Sequence, residues 1–159
     1  MPISLKDYVS ALGKEKFRAI IIHGSTEQEK ELRQFVSQIP EYTGGTYLDI
    51  LDLFSRDFEL SACVDSFNPE SLKVLLQKYS AGKNVLVVDR MEFLLDTWRK
   101  RERQAFYRMI AKQWNSFIPS MGATLIICLQ SSTELTSQKI TDSHGKSRIQ
   151  PLSNFNELA

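Results

Sequence analysis

Three short apolar runs punctuate the chain, at residues 17–22, 84–88 and 124–129. Each is rich in β-branched residues and bounded by polar residues or glycine. Continuous apolar runs of this length, without polar alternation, suit strands buried on both faces of a parallel sheet. Helical periodicity fills the gaps between them. Over 28–39 the apolar positions Leu32, Phe35, Val36 and Ile39 recur at helical spacing. Pro69-Glu70 opens a second helix with the stripe Leu72, Leu75, Leu76 and Tyr79, and Gly82 supplies its stop. A third, longer helix is predicted over about 96–117, with Trp98, Phe106, Met109, Ile110, Trp114 and Phe117 facing inward.

Weaker patterns add to this frame. A strand is expected at 46–50, after the Gly44-Gly45 turn. Another is expected at 147–152, SRIQPL, where Pro151 suits an edge position better than a central one. The stretch SLKDYVSALGK reads as a short leading helix capped by Ser4. The polar segment 131–147, with its turn-like Ser143-His144-Gly145, is the candidate for flexibility. Strands alternating with helices imply an α/β fold with a three-layer parallel sheet, helices on both faces and right-handed crossovers. Ligands in such sheets bind beyond the carboxyl ends of the strands. Chemistry is therefore expected at 24–30, 89–92 and 130–133.

Composition changes this picture little. A chain of 159 residues fits a single domain over 1–159, and 42% apolar residues supply its core. Charged residues make up 25% and the net charge is +1, so any electrostatic argument must be local. MPISLKDYVSALGKEK has no apolar core of a signal peptide, and no apolar run approaches membrane-spanning length. Cys63 and Cys128 show no metal-binding spacing, and Cys128 within TLIICL reads as a buried, reduced thiol. A cytoplasmic protein without a membrane partner is expected.

The first apolar run leads into IIIHGSTEQEKELRQF, residues 20–35. A strand, a glycine-initiated loop and a helix in immediate succession resemble a small P-loop NTPase. VLVVDR, 85–90, resembles the strand whose terminal acid holds Mg²⁺. LIICLQSS, 125–132, resembles the following strand with its polar tip. The resemblance spans about 17–158 and implies a P-loop NTPase-like fold. It carries Gly24 onto the first loop glycine, Lys30 onto the phosphate lysine and Asp89 onto the metal-side aspartate, with ATP and Mg²⁺ as cofactors in an alternative, weakly hydrolysing reading.

The loop departs from the pattern in ways that bear on chemistry. A phosphate cradle needs glycines so that successive N–H groups converge on the anion, and STEQE contains none. Glu27, Glu29 and Glu31 add carboxylates where a triphosphate would sit. Each like-charge contact costs about 1 kcal/mol or less in water and several times that in a partly buried cleft. Glu31 replaces the Mg²⁺-binding hydroxyl, and Arg90 replaces the acid after Asp89. Ordinary helix physics accounts for the same residues. Ser25 or Thr26 caps the helix, Glu27 and Glu29 favour its positive end, Glu27 or Glu31 pairs with Lys30 or Arg33, and Asp89 bonds neighbouring N–H groups. Glu92 would serve as the missing acid only if the chain bulged after Asp89. The expectation is a protein without ATPase chemistry.

In length and element order the chain resembles the BrxF-type proteins of BREX phage-defence systems, which ordinarily keep an intact glycine-rich loop. That resemblance implies an accessory of a multi-protein bacterial defence machine, with larger subunits of the same system as partners. The segment TWRKRERQAFYRMIAKQW, 97–114, holds the densest positive charge: Arg99, Lys100, Arg101, Arg103, Arg108 and Lys112. It reads either as a docking face for DNA or an acidic protein, or as the solvated side of an amphipathic helix with its charge spread around the axis. His23 and His144 have no G-x-S-x-G elbow to serve. They form no recognised metal set with Asp142 and the cysteines. His23 is expected as a satisfied imidazole at the edge of the core.

Overall fold

The computed structural model describes residues 3–114 and 123–157. The chain opens with a two-residue strand β1 (Ile3–Ser4) and helix α1 (Leu5–Leu12). The first apolar run forms β2 (Ala19–Gly24), a short 3-10 turn follows, and α2 spans Glu29–Thr43. Next come β3 (Thr46–Asp49), α3 (Ile50–Arg56), α4 (Phe58–Ala62) and α5 (Pro69–Ser80). The second apolar run is β4 (Val85–Asp89), followed by α6 (Glu92–Thr97) and α7 (Lys100–Lys112). The third is β5 (Thr124–Gln130), followed by α8 (Thr133–Thr136), β6 (Ile149–Pro151) and β7 (Phe155–Glu157).

The main sheet has five strands in the order β3-β4-β5-β2-β6, and every pair is parallel. Pro151 sits on the edge strand, opposite His23 of β2, where its missing N–H costs no ladder bond. β1 and β7 form a separate parallel pair. Side chains alternate across the sheet, and the two faces build two cores. Ile20, Ile22, Val85, Val87 and Ile126 pack with Leu32, Val36 and Ile39 of α2 and with the inner face of α1. Ala19, Ile21, Leu86, Val88, Leu125 and Ile127 pack against Phe54, Leu72, Leu94, Phe106 and Ile110. Helices thus cover both faces of a parallel sheet, the architecture expected from uninterrupted apolar strands.

Several boundaries differ from the sequence reading. The helix expected over 96–117 is two helices, broken at Trp98-Arg99, and Phe117 lies outside the described residues. The Trp98 indole is buried and donates to the Phe67 carbonyl at 2.7 Å, which pins the break. A new N-terminus starts there: the Arg99 N–H donates to Glu102 Oε1 at 3.1 Å. α2 continues past Ile39 through Pro40, which forfeits one backbone bond. It stops at Gly44, whose φ of 69° is left-handed and whose N–H returns to the Pro40 carbonyl. The strand expected over 46–50 ends at Asp49, and α3 and α4 are additional helices, capped by Asp49 and Asp57. Ser4 holds the N-cap position of α1 without a side-chain cap bond. Segment 131–147 contains α8 and an antiparallel bridge, Thr141–Ser147, closing a turn around Asp142 and Gly145. Among the described residues, no helix is long and apolar enough to cross a membrane.

Candidate functional site

β2 and β5 are neighbours whose following helices lie on opposite faces of the sheet, α2 on one and α8 on the other. A crevice opens between such strands at their carboxyl ends. Parity decides what enters it from the α2 side. Asp89 follows Val85 and Val87, Cys128 follows Ile126, and Tyr47 lies one strand further out, in register with Val87. All three therefore face α2.

Arg33, on the first turns of α2, is the cation that meets them. Its Nη1 donates to Asp89 Oδ1, lies 3.8 Å from Cys128 Sγ, and its Nη2 is 3.6 Å from Glu92 Oε2. Asp89 is wholly buried. Its Oδ1 also accepts from the Arg90 N–H at 2.9 Å, and its Oδ2 accepts from the Tyr47 hydroxyl at 2.6 Å. Burial alone would lower the Arg33 pKa, but Asp89, Cys128, Glu92 and Glu29 more than reverse this and raise it. Burial, then the bond to Asp89, pushes the Tyr47 hydroxyl up. Burial likewise raises the Cys128 thiol, which is inert as a nucleophile. The pairing expected between Arg33 and Glu27 or Glu31 is replaced by this inward one.

The chain does turn back after Asp89. Arg90 has a φ of 55°, the one positive value at a non-glycine among the described residues, and its side chain is anchored to Asp49 at 2.7 Å. This left-handed step brings Glu92 to the same crevice, where burial raises its pKa and Arg33 partly offsets the rise. Its Oε1 is buried without a hydrogen-bond partner. Non-glycine residues in this region cost of order 1 kcal/mol or more and collect at functional sites. Glu92 is thus the site residue whose position the sequence reading made conditional on a bulge.

Gly24 and Asp89 both border the crevice, but Lys30 does not join them. The small cavity there, about 30 Å³, is lined by Gly24, Ser25, Glu29, Leu32, Arg33, Glu92 and Gln130, and Lys30 is exposed. That volume suits about one water molecule. Gly24 is not in a left-handed conformation. An added Cβ would lie 3.3 Å from Leu32 Cδ2 and 3.5 Å from Gln28 Cβ, so close packing against α2 explains the glycine. The loop amides are used locally: the Ser25 N–H donates to Gln28 Oε1 at 3.0 Å, and the Gln28 N–H to the Ser25 carbonyl at 3.0 Å. His23 is buried at the edge of the core with Nδ1 2.8 Å from Ser131 Oγ, and burial lowers its pKa.

The basic segment divides. Arg103 is half-buried, its Nε 2.7 Å from Glu134 Oε2 and its Nη1 donating to the Trp98 carbonyl at 2.6 Å. Arg99, Lys100, Arg101, Arg108 and Lys112 are exposed. Arg101, Arg108 and Lys112, seven and eleven residues apart on α7, fall on one stripe rather than around the axis.

Mg²⁺ and a triphosphate do not fit the residues as arranged. Mg²⁺ needs open carboxylate oxygens and its own waters at about 2.0–2.1 Å. Both Asp89 oxygens already accept protein hydrogen bonds, with a guanidinium in the cation's place. Among the described residues, no group of three or more His, Cys, Asp or Glu side chains is placed to hold a metal. No protein-family model matches the chain, and no curated protein or solved structure is significantly similar to it.

Proposed function

We propose that the chain is a non-catalytic, P-loop-like interaction subunit of a larger bacterial assembly, in phage defence or DNA processing. The order strand–loop–α2, strand ending in Asp89, strand ending in Gln130 and followed by Ser131-Ser132 supports the P-loop-like part, since the three strands are neighbours in one parallel sheet with their carboxyl ends on the same side. The observation that carries the non-catalytic part is the Arg33 guanidinium on Asp89 and Glu92. It supplies from within the chain the positive charge that a metal ion would bring.

Thermal denaturation with and without millimolar Mg-ATP tests this. A ligand at a hundred times its Kd stabilises the folded state by about 2.7 kcal/mol, an upward shift of several degrees for a domain of this size. The expected result is no shift. A clear upward shift that disappears in Lys30→Ala would overturn the proposal in favour of an ATP-binding subunit.

A further inference from the structure

The crevice has a second compartment on the α8 side of the sheet, a cavity of about 480 Å³ bordered by α6, α7 and the tip of β5. Glu92 lines both compartments. The volume is usual for a small-molecule site, and so is the position, beyond the carboxyl ends of parallel strands. What this side binds does not depend on whether nucleotide binds on the α2 side. Two polar groups here lack the partner that burial demands. Tyr107 is 4% exposed, yet its hydroxyl has no hydrogen-bond partner among the described residues. That oxygen is not sealed in, so it opens to the cavity that Tyr107 lines. Burial pushes the hydroxyl up to about 12, so it stays protonated and can both donate and accept. Glu92 Oε1 is also buried without a partner. Buried polar groups are normally satisfied, which leaves these two to whatever fills the cavity.

Charge selects the ligand. Glu92, Asp96 and Glu134 line the cavity against a single cation, Arg103, whose guanidinium is taken up by Glu134 and the Trp98 carbonyl. The lining is left at a net charge of −2, which the Arg33–Asp89 pair beside Glu92 does not alter. His23, hydrogen-bonded to Ser131 of the lining, is kept neutral by burial. Anions, the phosphates of DNA included, are therefore repelled. Glu92 and Asp96 stand one turn apart on α6, a like-charge pair that costs stability until a cation answers it. Asp96 has no hydrogen bond or ion pair among the described residues. The three acids are also too far apart to close on a metal ion, so the cation that complements them carries its charge along a chain. Leu95 and the Tyr107 ring supply apolar wall for the carbons between.

We propose that this cavity binds a small aliphatic diamine or polyamine, its ammonium groups received by Glu92, Asp96 and the Tyr107 hydroxyl. Helix positions one turn apart are separated by about 5–6 Å at Cβ, a span that a spacer of about four carbons matches. A lysine side chain of a partner protein offers the same ammonium but only one, and would leave one of the two carboxylates unanswered.

The test is isothermal titration calorimetry of the full chain, without nucleotide, against 1,4-diaminobutane, with n-butylamine and Nα-acetyl-lysine amide as single-ammonium controls. The diamine should bind about tenfold or more tightly than either control. Asp96→Asn changes an exposed side chain, and Tyr107→Phe removes an oxygen that no other described residue uses. Both variants should therefore melt with the wild type, and each should weaken the diamine about tenfold. Glu59→Gln, at an exposed acid outside the lining, should bind as the wild type does. Absence of diamine binding at millimolar concentration overturns the proposal. So does binding that Asp96→Asn and Tyr107→Phe leave intact, which would be unspecific attraction to surface acids. Equal affinity for the acetyl-lysine amide overturns it in favour of a partner protein's lysine.

Discussion

Arg33 shows how one side chain can decide the chemistry of a site. A buried carboxylate is tolerated only when its lone pairs are used, and Asp89 is satisfied by Arg33, Tyr47 and the Arg90 amide. Truncating Arg33 would leave that charge unpaired in the core. Because Arg33 is itself 27% exposed on its side chain, the loss falls between the limits for surface and buried pairs, at about 2–4 kcal/mol. Urea denaturation of Arg33→Ala should show it as a lower midpoint. Arg33→Lys should recover only part, since an ammonium keeps the charge but cannot span Asp89 and Glu92 as a planar fork does. The carboxylate was legible as the acid at the end of an apolar run, but its partner was not. Arg33 lies beyond the loop pattern, and helical spacing places it beside Leu32 without saying which of many acids it meets. Lys30 was the visible cation, and the side chain one turn further on is the one that turns inward.

At the scale of elements, legibility followed the strength of the pattern. The three central strands were readable because nothing polar interrupts them, and Pro69-Glu70 marked the start of α5. The break between α6 and α7 was not readable. Apolar spacing runs through it, and the capping position is filled by Arg99 rather than by Ser, Thr, Asp or Asn. α3 and α4 did carry legible signals, since Asp49 and Asp57 each accept N–H bonds of the helix that follows. Their apolar positions are too few to stand out beside the strands. Gly44 and Gly45 read correctly as punctuation, but their roles differ. Gly44 supplies a left-handed helix end, whereas Gly45 is held by contact: a Cβ there would lie 2.7 Å from the Val85 carbonyl oxygen and 2.8 Å from Val85 Cβ. Neither atom belongs to a flexible side-chain end. Gly45→Ala must therefore push β3 away from β4, at a cost of about 1–3 kcal/mol. A thermal melt should register it as a drop of several degrees that comes from the clash, whereas Gly82→Ala, where an added Cβ meets nothing within 4 Å, is strained by its φ of 75° alone.

For the whole molecule, the question is what joins the sheet, the outer helices and the long polar segment into one body. Arg148 does this, and nothing in the sequence singled it out, because the segment around it is short, polar and weakly patterned. Its side chain is buried and donates to five backbone carbonyls: Thr141 at 3.1 Å, Phe17 at 3.1 Å, Ala19 at 3.0 Å, Ile110 at 3.0 Å and Ala111 at 2.7 Å. Those acceptors belong to the polar segment, the start of β2 and the last turn of α7. Each is a carbonyl that the ladder or helix leaves with spare capacity, and one guanidinium uses them together. Its own backbone continues the link, with the Arg148 N–H donating to the Ile140 carbonyl and its carbonyl accepting from Ile21. Burial pushes the Arg148 pKa down, but an arginine stays charged at any working pH. Replacing it by methionine would keep most of the volume and leave five carbonyls, two of them in buried bonds, without this donor. Hydrogen bonds to a charged group contribute about 1.5–3 kcal/mol each before relaxation, and severing a buried charged network costs about 3–5 kcal/mol in total. Against a typical total stability of about 5–15 kcal/mol, Arg148→Met should be the most damaging of these substitutions. Hydrogen exchange would show where. Amides of residues 140–149, of β2 and of the end of α7 should lose protection together, while β3 and the β3–β4 edge keep theirs. Loss confined to 140–149 would mean that the arginine anchors its own segment and nothing more.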